Sequence, residues 1–246
     1  MQLTTMGLVI KVVKTGEADR IVHILTPKFG VISAIAKSGQ RLKSKLFSST
    51  GLFCYAEFTL FEGKNMYVID EAEVSEVFFG MRQSIEGMAT AMYFAEIVST
   101  LLPTGNEAAI LLRLLLNSLY YISEQKRDLK QLKAIFELRC LTIVGYMPNL
   151  IACDNCIKYE GGAFYFDTIA GTLLCADCAL ARGIDANIDA GTLAAMRHIV
   201  FSEDEKVFAF TVSNKSLLQL QNVAVQYFCN CIDKPLRSLD FLNTLI

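Results

Sequence analysis

The sequence lacks the residues and motifs on which most catalytic sites depend. It has only two histidines, His23 and His198, which the pattern places on a strand beside apolar residues and in a short helix. Neither a G-x-x-x-x-G-K-(S/T) phosphate loop nor a G-x-G-x-x-G fingerprint occurs, so nucleotide hydrolysis and dinucleotide chemistry lack their usual cradle. We therefore expect a protein that is not an enzyme.

The sequence also has no stretch that predicts export or membrane insertion. Residues 1–5 contain no basic group, and Lys11 and Lys14 interrupt the apolar residues that follow. The most apolar later stretch, Ala108–Ile122, contains Arg113 and is too short to span a bilayer. We expect a cytoplasmic protein without a membrane partner, whose eight cysteines stay reduced.

Charge is sparse and unevenly distributed. Charged residues make up 20% of the chain and hydrophobic ones 53%, which indicates a globular protein with a large core. Residues 1–50 contain eight basic and two acidic side chains, a net charge of +6, so the remainder carries −8 to give the total of −2. This asymmetry predicts a polyanion-binding lobe joined to a neutral or acidic one.

Four cysteines have the spacing of a zinc site. They form two C-x2-C pairs separated by eighteen residues: Cys153, Cys156, Cys175 and Cys178. Four thiolates complete a tetrahedron and leave no open position for an activated water, so we predict one structural Zn²⁺ per chain. The alternatives are scattered core or redox cysteines and, less favoured still, a disulfide pair. Between the pairs, Ala163–Asp167 and Thr172–Leu174 predict a hairpin that turns near Gly171.

The front of the chain predicts strands and the remainder predicts helices. Five runs rich in Val, Ile, Phe and Tyr are Leu8–Val13, Arg20–Leu25, Val31–Ala36, Phe53–Phe61 and Met66–Val77. Helical spacing or capping follows at Ser84–Leu102, Glu107–Glu124, Asp128–Gly145, Asp189–Phe201 and Ser213–Ile232. We predict an α+β multidomain protein, with an OB-fold barrel at 1–80, a helical domain at 81–246 and an inserted zinc finger at about 150–182. An SH3-like barrel is the main alternative for the front.

The segment Lys37–Lys45, here called the basic loop, contains four cations and no acid: Lys37, Arg41, Lys43 and Lys45. Its position after a barrel strand favours contact with nucleic-acid phosphates, and Phe29, Phe47 and Tyr67 are candidates to stack on bases. An ordinary solvated loop is the alternative.

A second group of cations lies near the predicted third helix. Lys126, Lys130 and Lys133 have the spacing of one helix face, with Arg127 beside them. Such a face suits an acidic peptide or more DNA. Without further information, a solvated helix face is the simpler interpretation.

Several segments together resemble the bacterial RecO family of DNA repair and recombination mediators. They are Gly16–Val22, Leu25–Gly30, Ala36–Arg41 leading to Lys43-Ser44, the four cysteines and Leu236–Leu242. The resemblance covers nearly the whole chain, and it implies an OB-fold, a helical domain and a zinc finger. Members of that family differ in whether they keep the metal cysteines, and this chain has all four.

The resemblance also implies a function. It implies binding of single- and double-stranded DNA, annealing of complementary strands, and loading of RecA onto DNA coated by single-strand binding protein. RecR and the acidic tail of single-strand binding protein are the implied partners, at the nucleoid. Lys37 and Arg41 match basic positions that resemble the family's DNA contacts, whereas Lys43 and Lys45 are added on charge alone. A zinc-containing protein adaptor without DNA binding, and a metalloenzyme, are the competing hypotheses.

Overall fold

The computed structural model describes residues 2–246, which divide by packing into two compact units. The first unit contains the chain up to Lys126 together with Leu236–Leu245, and the second contains Arg127–Pro235. This division falls later than the predicted boundary at residue 80, because two helices that follow the strands pack with them. Whether residues 1–80 form a domain on their own stays a prediction. No helix within residues 2–246 is long and apolar enough to cross a membrane.

Five strands of the first unit close into a barrel in the order β1-β2-β3-β5-β4, with β4 paired back to β1. They are β1 (Gln2–Thr15), β2 (Asp19–Thr26), β3 (Gly30–Ala36), β4 (Cys54–Glu62) and β5 (Tyr67–Val77). Neighbouring strands are antiparallel except β3 and β5, which run parallel at Ala34↔Tyr67 and Ile35↔Val68. Each strand overlaps one of the five predicted runs, and β1 extends beyond its run at both ends.

The alternation of side chains explains why these segments fold as a barrel. On β2, Val22 and Ile24 point inward and are fully buried, and Phe58 and Leu60 on β4 fill the same core. Full burial of such a side chain stabilises the fold by about 1.5–3 kcal/mol. A bulge near Val9 bends β1, so that one long strand pairs with both β2 and β4.

Helices cover the outside of the first unit. They are α1 (Leu46–Ser49), a 3-10 helix (Phe79–Gln83), α2 (Ile85–Leu101), α3 (Gly105–Ser123) and, at the end of the chain, α8 (Arg237–Leu242). The Ser84 hydroxyl accepts a hydrogen bond of 2.9 Å from the backbone N–H of Gly87 and caps α2. The Glu96 carboxylate on α2 accepts the backbone N–H of Ser238 at 2.9 Å, which fixes the start of α8. Gly30 ends the turn before β3 with φ +62°, and a side chain there would meet the carbonyl of Pro103.

The second unit combines four helices with a small sheet. Its elements are α4 (Leu129–Ile143), β6 (Ala163–Asp167), β7 (Thr172–Cys175), α5 (Ala176–Leu180), β8 (Ile188–Asp189), α6 (Ala190–Phe201) and α7 (Asn214–Cys231). The sheet order is β7-β6-β8. Asp128 caps α4 by accepting the N–H groups of Lys130 and Gln131, at 2.7 and 3.3 Å. The Gln131 side chain does not return to Asp128 to form a capping box, because it donates to the carbonyl of Phe210 at 3.0 Å.

The structure therefore has a sheet-rich N-terminal part, as predicted, and a C-terminal part that is mainly helical. The predicted hairpin is also present, and β6 and β7 pair across a turn that contains Gly171 with φ +69°. The sequence pattern did not predict α1, the 3-10 helix, α5, β8 or α8.

Candidate nucleic-acid interface and metal centre

The basic loop runs from the end of β3 to the start of α1 and lies beside the β1–β2 turn. The backbone N–H of Ser38 donates to the Asp19 carboxylate at 2.7 Å, and the N–H of Gln40 donates to the Ala18 carbonyl at 2.8 Å. Gln40 donates a further hydrogen bond, from its side chain, to the carbonyl of Asp19. Ser38 has φ +55°, so the chain turns sharply where these bonds hold it. The loop is thus fixed to the end of the barrel.

The four cations of the basic loop are all exposed: Lys37, Arg41, Lys43 and Lys45. Over residues 2–246, none of these four side chains forms an ion pair with a carboxylate. Like charges on one short loop repel each other weakly in water, and an arriving polyanion relieves that repulsion. The loop therefore offers a row of positive charge to solvent.

The other half of the barrel carries the opposite charge. Residues 51–80 contain six acidic side chains and one basic one, Lys64, a net charge of −5. All six acids lie exposed on two adjacent strands: Glu57 and Glu62 on β4, and Asp70, Glu71, Glu73 and Glu76 on β5. A polyanion is therefore repelled from this side of the barrel and attracted to the basic loop.

The three candidate stacking residues have different surroundings. Phe29 is 45% exposed in the β2–β3 turn, and Phe47 is 37% exposed in α1, directly after the basic loop. The Phe47 ring already lies under the guanidinium of Arg20, with the carbon of that group 5.3 Å from the ring centroid. Tyr67 packs against the barrel core, which leaves less of its ring for a base.

The prediction that Lys126, Lys130 and Lys133 share one cationic face of the third helix is wrong. Lys126 precedes α4 and donates to the hydroxyl of Tyr120 at 2.7 Å. Lys133 is only 5% exposed and pairs at 2.7 Å with the fully buried Glu137, one helical turn away. Lys130 alone is exposed on α4. A solvated face was the simpler prediction, and Lys133 contradicts that as well, because it faces the interior.

The four cysteines of the predicted metal site come together. The Sγ atoms of Cys153, Cys156, Cys175 and Cys178 all lie within 4.8 Å of one another. The Sγ atoms of Cys156 and Cys175 are 3.6 Å apart. Four thiolates at zinc-sulfur bonds of about 2.3 Å are about 3.8 Å apart, so this cluster fits a tetrahedral thiophilic cation. The cluster can hold a metal ion.

Backbone contacts form the two cysteine pairs into one site. The N–H of Cys153 donates to the carbonyl of Lys158 at 2.9 Å, and the N–H of Asp154 donates to Leu173 on β7 at 2.7 Å. The first bond closes the knuckle, and the second joins it to the hairpin that carries Cys175. The side-chain amide of Asn155 also donates to the Cys178 sulfur at 3.3 Å.

The thiols of Cys153 and Cys156 do not titrate independently. Burial raises the pKa of Cys153, but hydrogen bonds from the backbone N–H groups of Cys175, Cys156 and Asn155 outweigh it and bring that pKa to about 6. The N–H of Lys158 lowers the pKa of Cys156, yet the three neighbouring sulfurs raise it to about 12. The thiolate of Cys153 therefore forms readily, and its negative charge disfavours ionisation of the Cys156 thiol. A bound dication removes this conflict, since it stabilises all four thiolates at once.

The two histidines do not form an evident acid–base site. The Nδ1 of His23 lies 3.2 Å from the hydroxyl of Ser33, and burial followed by the charge of Lys11 lowers the pKa of His23. Within residues 2–246 no carboxylate contacts this pair, so it lacks the third group that orients a catalytic histidine. The Nε2 of His198 contacts the carbonyl of Lys206 at 2.9 Å.

Two arginines that support these sites were not singled out by the sequence pattern. Arg197 on α6 donates to the carbonyls of Leu150, Ile151 and Tyr159, at 2.8 to 2.9 Å, and so holds the knuckle that carries Cys153 and Cys156. Arg20 faces into the end of the barrel beneath the basic loop. A signal for Arg20 was present, because it shares the inward register of Val22 and Ile24. For Arg197 there was none, since its partners are 38 to 47 residues away.

Comparisons with known proteins agree across the whole chain. Residues 1–78 match the family model described as Recombination protein O N terminal, and residues 82–240 match Recombination protein O C terminal. The chain is 37% identical to the DNA repair protein RecO of Acetivibrio thermocellus over 243 residues, which cover 99% of this chain and 97% of that protein. It is 28% identical to proteins of the same name from Alkaliphilus metalliredigens, with 95% of each chain covered, and from Symbiobacterium thermophilum, with 97% and 96% covered.

Proposed function

This chain belongs to the RecO family of DNA repair proteins, and from that premise we propose that it is a recombination mediator that binds single- and double-stranded DNA through its basic loop. The observation that carries the proposal is the row of four exposed, unpaired cations on a loop fixed to the barrel. Phosphate contacts of this kind supply most of the affinity for DNA without reading its sequence.

The barrel topology supports an OB-fold assignment. A five-stranded barrel that closes in the order β1-β2-β3-β5-β4, through one parallel pair between β3 and β5, fits that Greek-key fold. OB-folds bind oligonucleotides on the face of strands 2 and 3 and on the loops between strands 1 and 2 and between strands 4 and 5. Here the basic loop is hydrogen-bonded to the β1–β2 turn at Ala18 and Asp19, so the cations extend that region.

We propose that the protein also anneals complementary strands. Cations bound to phosphates lower the repulsion between two strands and leave the base edges free to pair. Lysine ammonium groups on flexible stems make contacts that shift easily, which lets the strands change register until they match. This activity needs no nucleophile, base or nucleotide, so we propose that the protein is not an enzyme.

The proposed partners follow from family membership. We propose that the protein helps to load RecA onto DNA coated by single-strand binding protein, and that it does so in the cytoplasm at the nucleoid. RecR and the acidic tail of single-strand binding protein are the proposed protein partners. The buried Lys133 is not a candidate to contact that tail, because Glu137 already neutralises it.

We propose that the cysteine cluster holds one structural Zn²⁺. The donors would be the sulfurs of Cys153, Cys156, Cys175 and Cys178, which fill the coordination sphere. Zinc would supply a cross-link between the knuckle before β6 and the start of α5. The protein's own part is to hold the sulfurs together, through the β6–β7 hairpin and the hydrogen bonds of Arg197.

The DNA interface is tested by reversing two charges. We expect Lys37→Glu with Arg41→Glu to weaken binding of single-stranded DNA and to reduce the slope of log affinity against log salt by at least about 1.4, because each lost phosphate contact removes about 0.7. The measurement is a fluorescence anisotropy titration of labelled oligonucleotide at several salt concentrations.

The matched control carries the same change in net charge in the second unit. Lys130 and Lys215 are exposed at the starts of α4 and α7, where glutamate is compatible with the helix dipole. The variant Lys130→Glu with Lys215→Glu should keep the salt slope of the natural protein. Equal slopes for all three proteins would refute the basic-loop interface, and absent DNA binding in the natural protein would favour the adaptor hypothesis.

Annealing is tested separately with complementary oligonucleotides. We expect the protein to accelerate duplex formation both on bare strands and on strands covered by single-strand binding protein. If the protein accelerates duplex formation on bare strands alone, the result would agree with the proposed DNA binding but contradict the proposed mediator activity.

A further inference from the structure

Arg20 is a buried cation with no acidic partner. Its side chain is 8% exposed and points inward at the start of β2, on the same face of the strand as Val22. Its Nη2 donates to the carbonyl of Leu46 at 3.3 Å and to the carbonyl of Phe47, whereas its Nε has no partner. No carboxylate within residues 2–246 pairs with this guanidinium. Burial without a counter-ion is costly, so a cation retained here needs a reason.

The two carbonyls that the Arg20 guanidinium binds lie directly after the segment that carries the cations proposed to bind DNA. Leu46 and Phe47 directly follow Lys45, so the guanidinium holds the end of the basic loop. The start of the basic loop is held by the two residues that precede Arg20, because Ala18 and Asp19 accept the N–H groups of Gln40 and Ser38. Three consecutive residues therefore fix the loop at both ends.

Gly39 is fitted over the same guanidinium. A Cβ built on Gly39 would lie 2.9 Å from the Nε of Arg20, and 3.0 Å from both the Cβ and the carbonyl oxygen of Ala36. The basic loop therefore packs against Arg20 at Gly39 as well as at the residues that follow Lys45. Any residue larger than glycine at position 39 would displace either the arginine or the loop.

We propose that Arg20 is a positioning residue for the DNA-binding surface: its guanidinium holds the basic loop in the shape that directs Lys37, Arg41, Lys43 and Lys45 into solvent together. This inference rests on the proposed function. An ordered loop presents its cations to successive phosphates without first losing conformational entropy, whereas a mobile loop pays that entropy on binding. Arg20 itself lies beneath the surface and touches no ligand.

The test separates the shape of the guanidinium from its charge. Arg20→Lys keeps the charge but cannot form the planar fork, and Gly39→Ala keeps the arginine but disturbs its fit. We expect each variant to bind single-stranded DNA about tenfold more weakly, the effect of one lost charge-assisted hydrogen bond. The salt slope should fall by about 0.7, since fewer phosphates are contacted at once. A merely stabilising residue would lower the melting temperature and leave the slope of the folded protein unchanged.

A second readout needs no DNA. The basic loop contains four trypsin sites, and cleavage after them requires the loop to leave its hydrogen bonds. We expect both variants to be cut faster within Lys37–Lys45 than the natural protein. The matched control is Arg139→Lys, in which another guanidinium, bound to the backbone carbonyls of Ile199 and Val200, is changed in the second unit. It should alter neither loop cleavage nor the salt slope.

The outcomes distinguish this inference from the proposed function. Folded Arg20→Lys and Gly39→Ala proteins that bind DNA with the natural affinity and slope would overturn the positioning role, whatever their cleavage rates. If reversal of Lys37 and Arg41 also leaves binding unchanged, the basic-loop interface itself is wrong. If that reversal weakens binding and the two variants do not, only the role of Arg20 fails.

Discussion

The guanidinium groups of Arg20, Arg139 and Arg197 bind backbone carbonyls and thereby join segments distant in sequence. Arg20 reaches Leu46 and Phe47, Arg139 reaches Ile199 and Val200, and Arg197 reaches the knuckle of the metal cluster. A planar fork with five donors can satisfy several carbonyls in a fixed geometry, which the single ammonium of lysine cannot. At these positions an exchange of arginine for lysine is therefore not conservative.

The first prediction concerns Arg197. Arg197→Lys should destabilise the second unit by about 1–3 kcal/mol, because the carbonyls of Ile151 and Tyr159 lose the Nη2 donor. The ring of Tyr159 also loses the guanidinium that lies 4.1 Å from its centroid. Zinc should also be released faster to a competing chelator, which a colorimetric zinc assay follows. The variant Arg182→Lys, at an exposed arginine in the same unit, is the control. Equal release rates for all three proteins would contradict the role given to Arg197.

The second prediction concerns pH and His23. Burial and the charge of Lys11 lower the pKa of His23 in the folded protein below its ordinary value of 6.5. As the pH falls below 6.5, the unfolded chain takes up a proton at this position before the folded one does. Stability is therefore complete above pH 6.5 and declines as the pH falls through the folded pKa.

Melting temperatures of the natural protein and of a His23→Gln variant, measured from about pH 8 to about pH 5, check this, because carboxylates titrate mainly below that range and the Cys153 thiol, with a pKa of about 6, is common to both proteins. His23→Gln should flatten the decline. A natural protein that becomes more stable on acidification over this range would contradict the assigned direction.

At the scale of single elements, the β6–β7 hairpin depends on its turn glycine. Gly171 has φ +69°, and a Cβ there would lie 3.0 Å from the hydroxyl of Tyr227 on α7. Gly171→Ala should cost about 1–2 kcal/mol for the left-handed backbone, with a further cost for the crowded tyrosine. Gly183 has φ +72° but open space around it, so Gly183→Ala isolates the backbone contribution.

Thermal unfolding of both variants gives the comparison. We expect Gly171→Ala to be the less stable of the two. If Gly183→Ala is equally unstable, the contact with Tyr227 adds nothing.

Sequence pattern predicted these elements where a local signal was strong. Runs rich in Val, Ile, Phe and Tyr located the five strands, because residues of these types favour the pleated, half-buried surface of a sheet. The spacing of the cysteines located the cluster because the chemistry of the site requires it. Both signals are contained within a few neighbouring residues.

Elements held by distant contacts were not predicted. The four residues of α1 are too few to show helical periodicity, and Arg20 holds them from 26 residues away. The start of α8 depends on Glu96, more than 140 residues earlier. For Lys133 the i,i+4 pair with Glu137 was visible in the sequence, but the burial of that pair was not. Tertiary packing decides such cases, and local pattern does not report it.

At the scale of the whole molecule, the metal cluster and the basic loop belong to different compact units. Removal of zinc with a chelator should therefore unfold the region around the four cysteines and leave the barrel intact. Hydrogen exchange followed by mass spectrometry should lose protection at β6 and β7 and keep it from β1 to β5. DNA affinity should stay close to that of the zinc-loaded protein.

Two results would contradict this picture. Unchanged protection of β6 and β7 after verified loss of zinc would exclude a structural role for the metal. Loss of DNA binding together with zinc, while the barrel stays protected, would mean that the second unit contributes to the interface.

The return of the chain to the first unit has a consequence for biosynthesis. Leu236–Leu245 completes a unit whose other residues end at Lys126, so the ribosome must finish the entire intervening region before the barrel and its helices acquire their last piece. A premature stop after Pro235 would spare all four cysteines of the cluster, yet leave α2 without the helix that Glu96 anchors. Nascent or truncated chains should therefore recruit chaperones through the front of the protein, the half that was translated first.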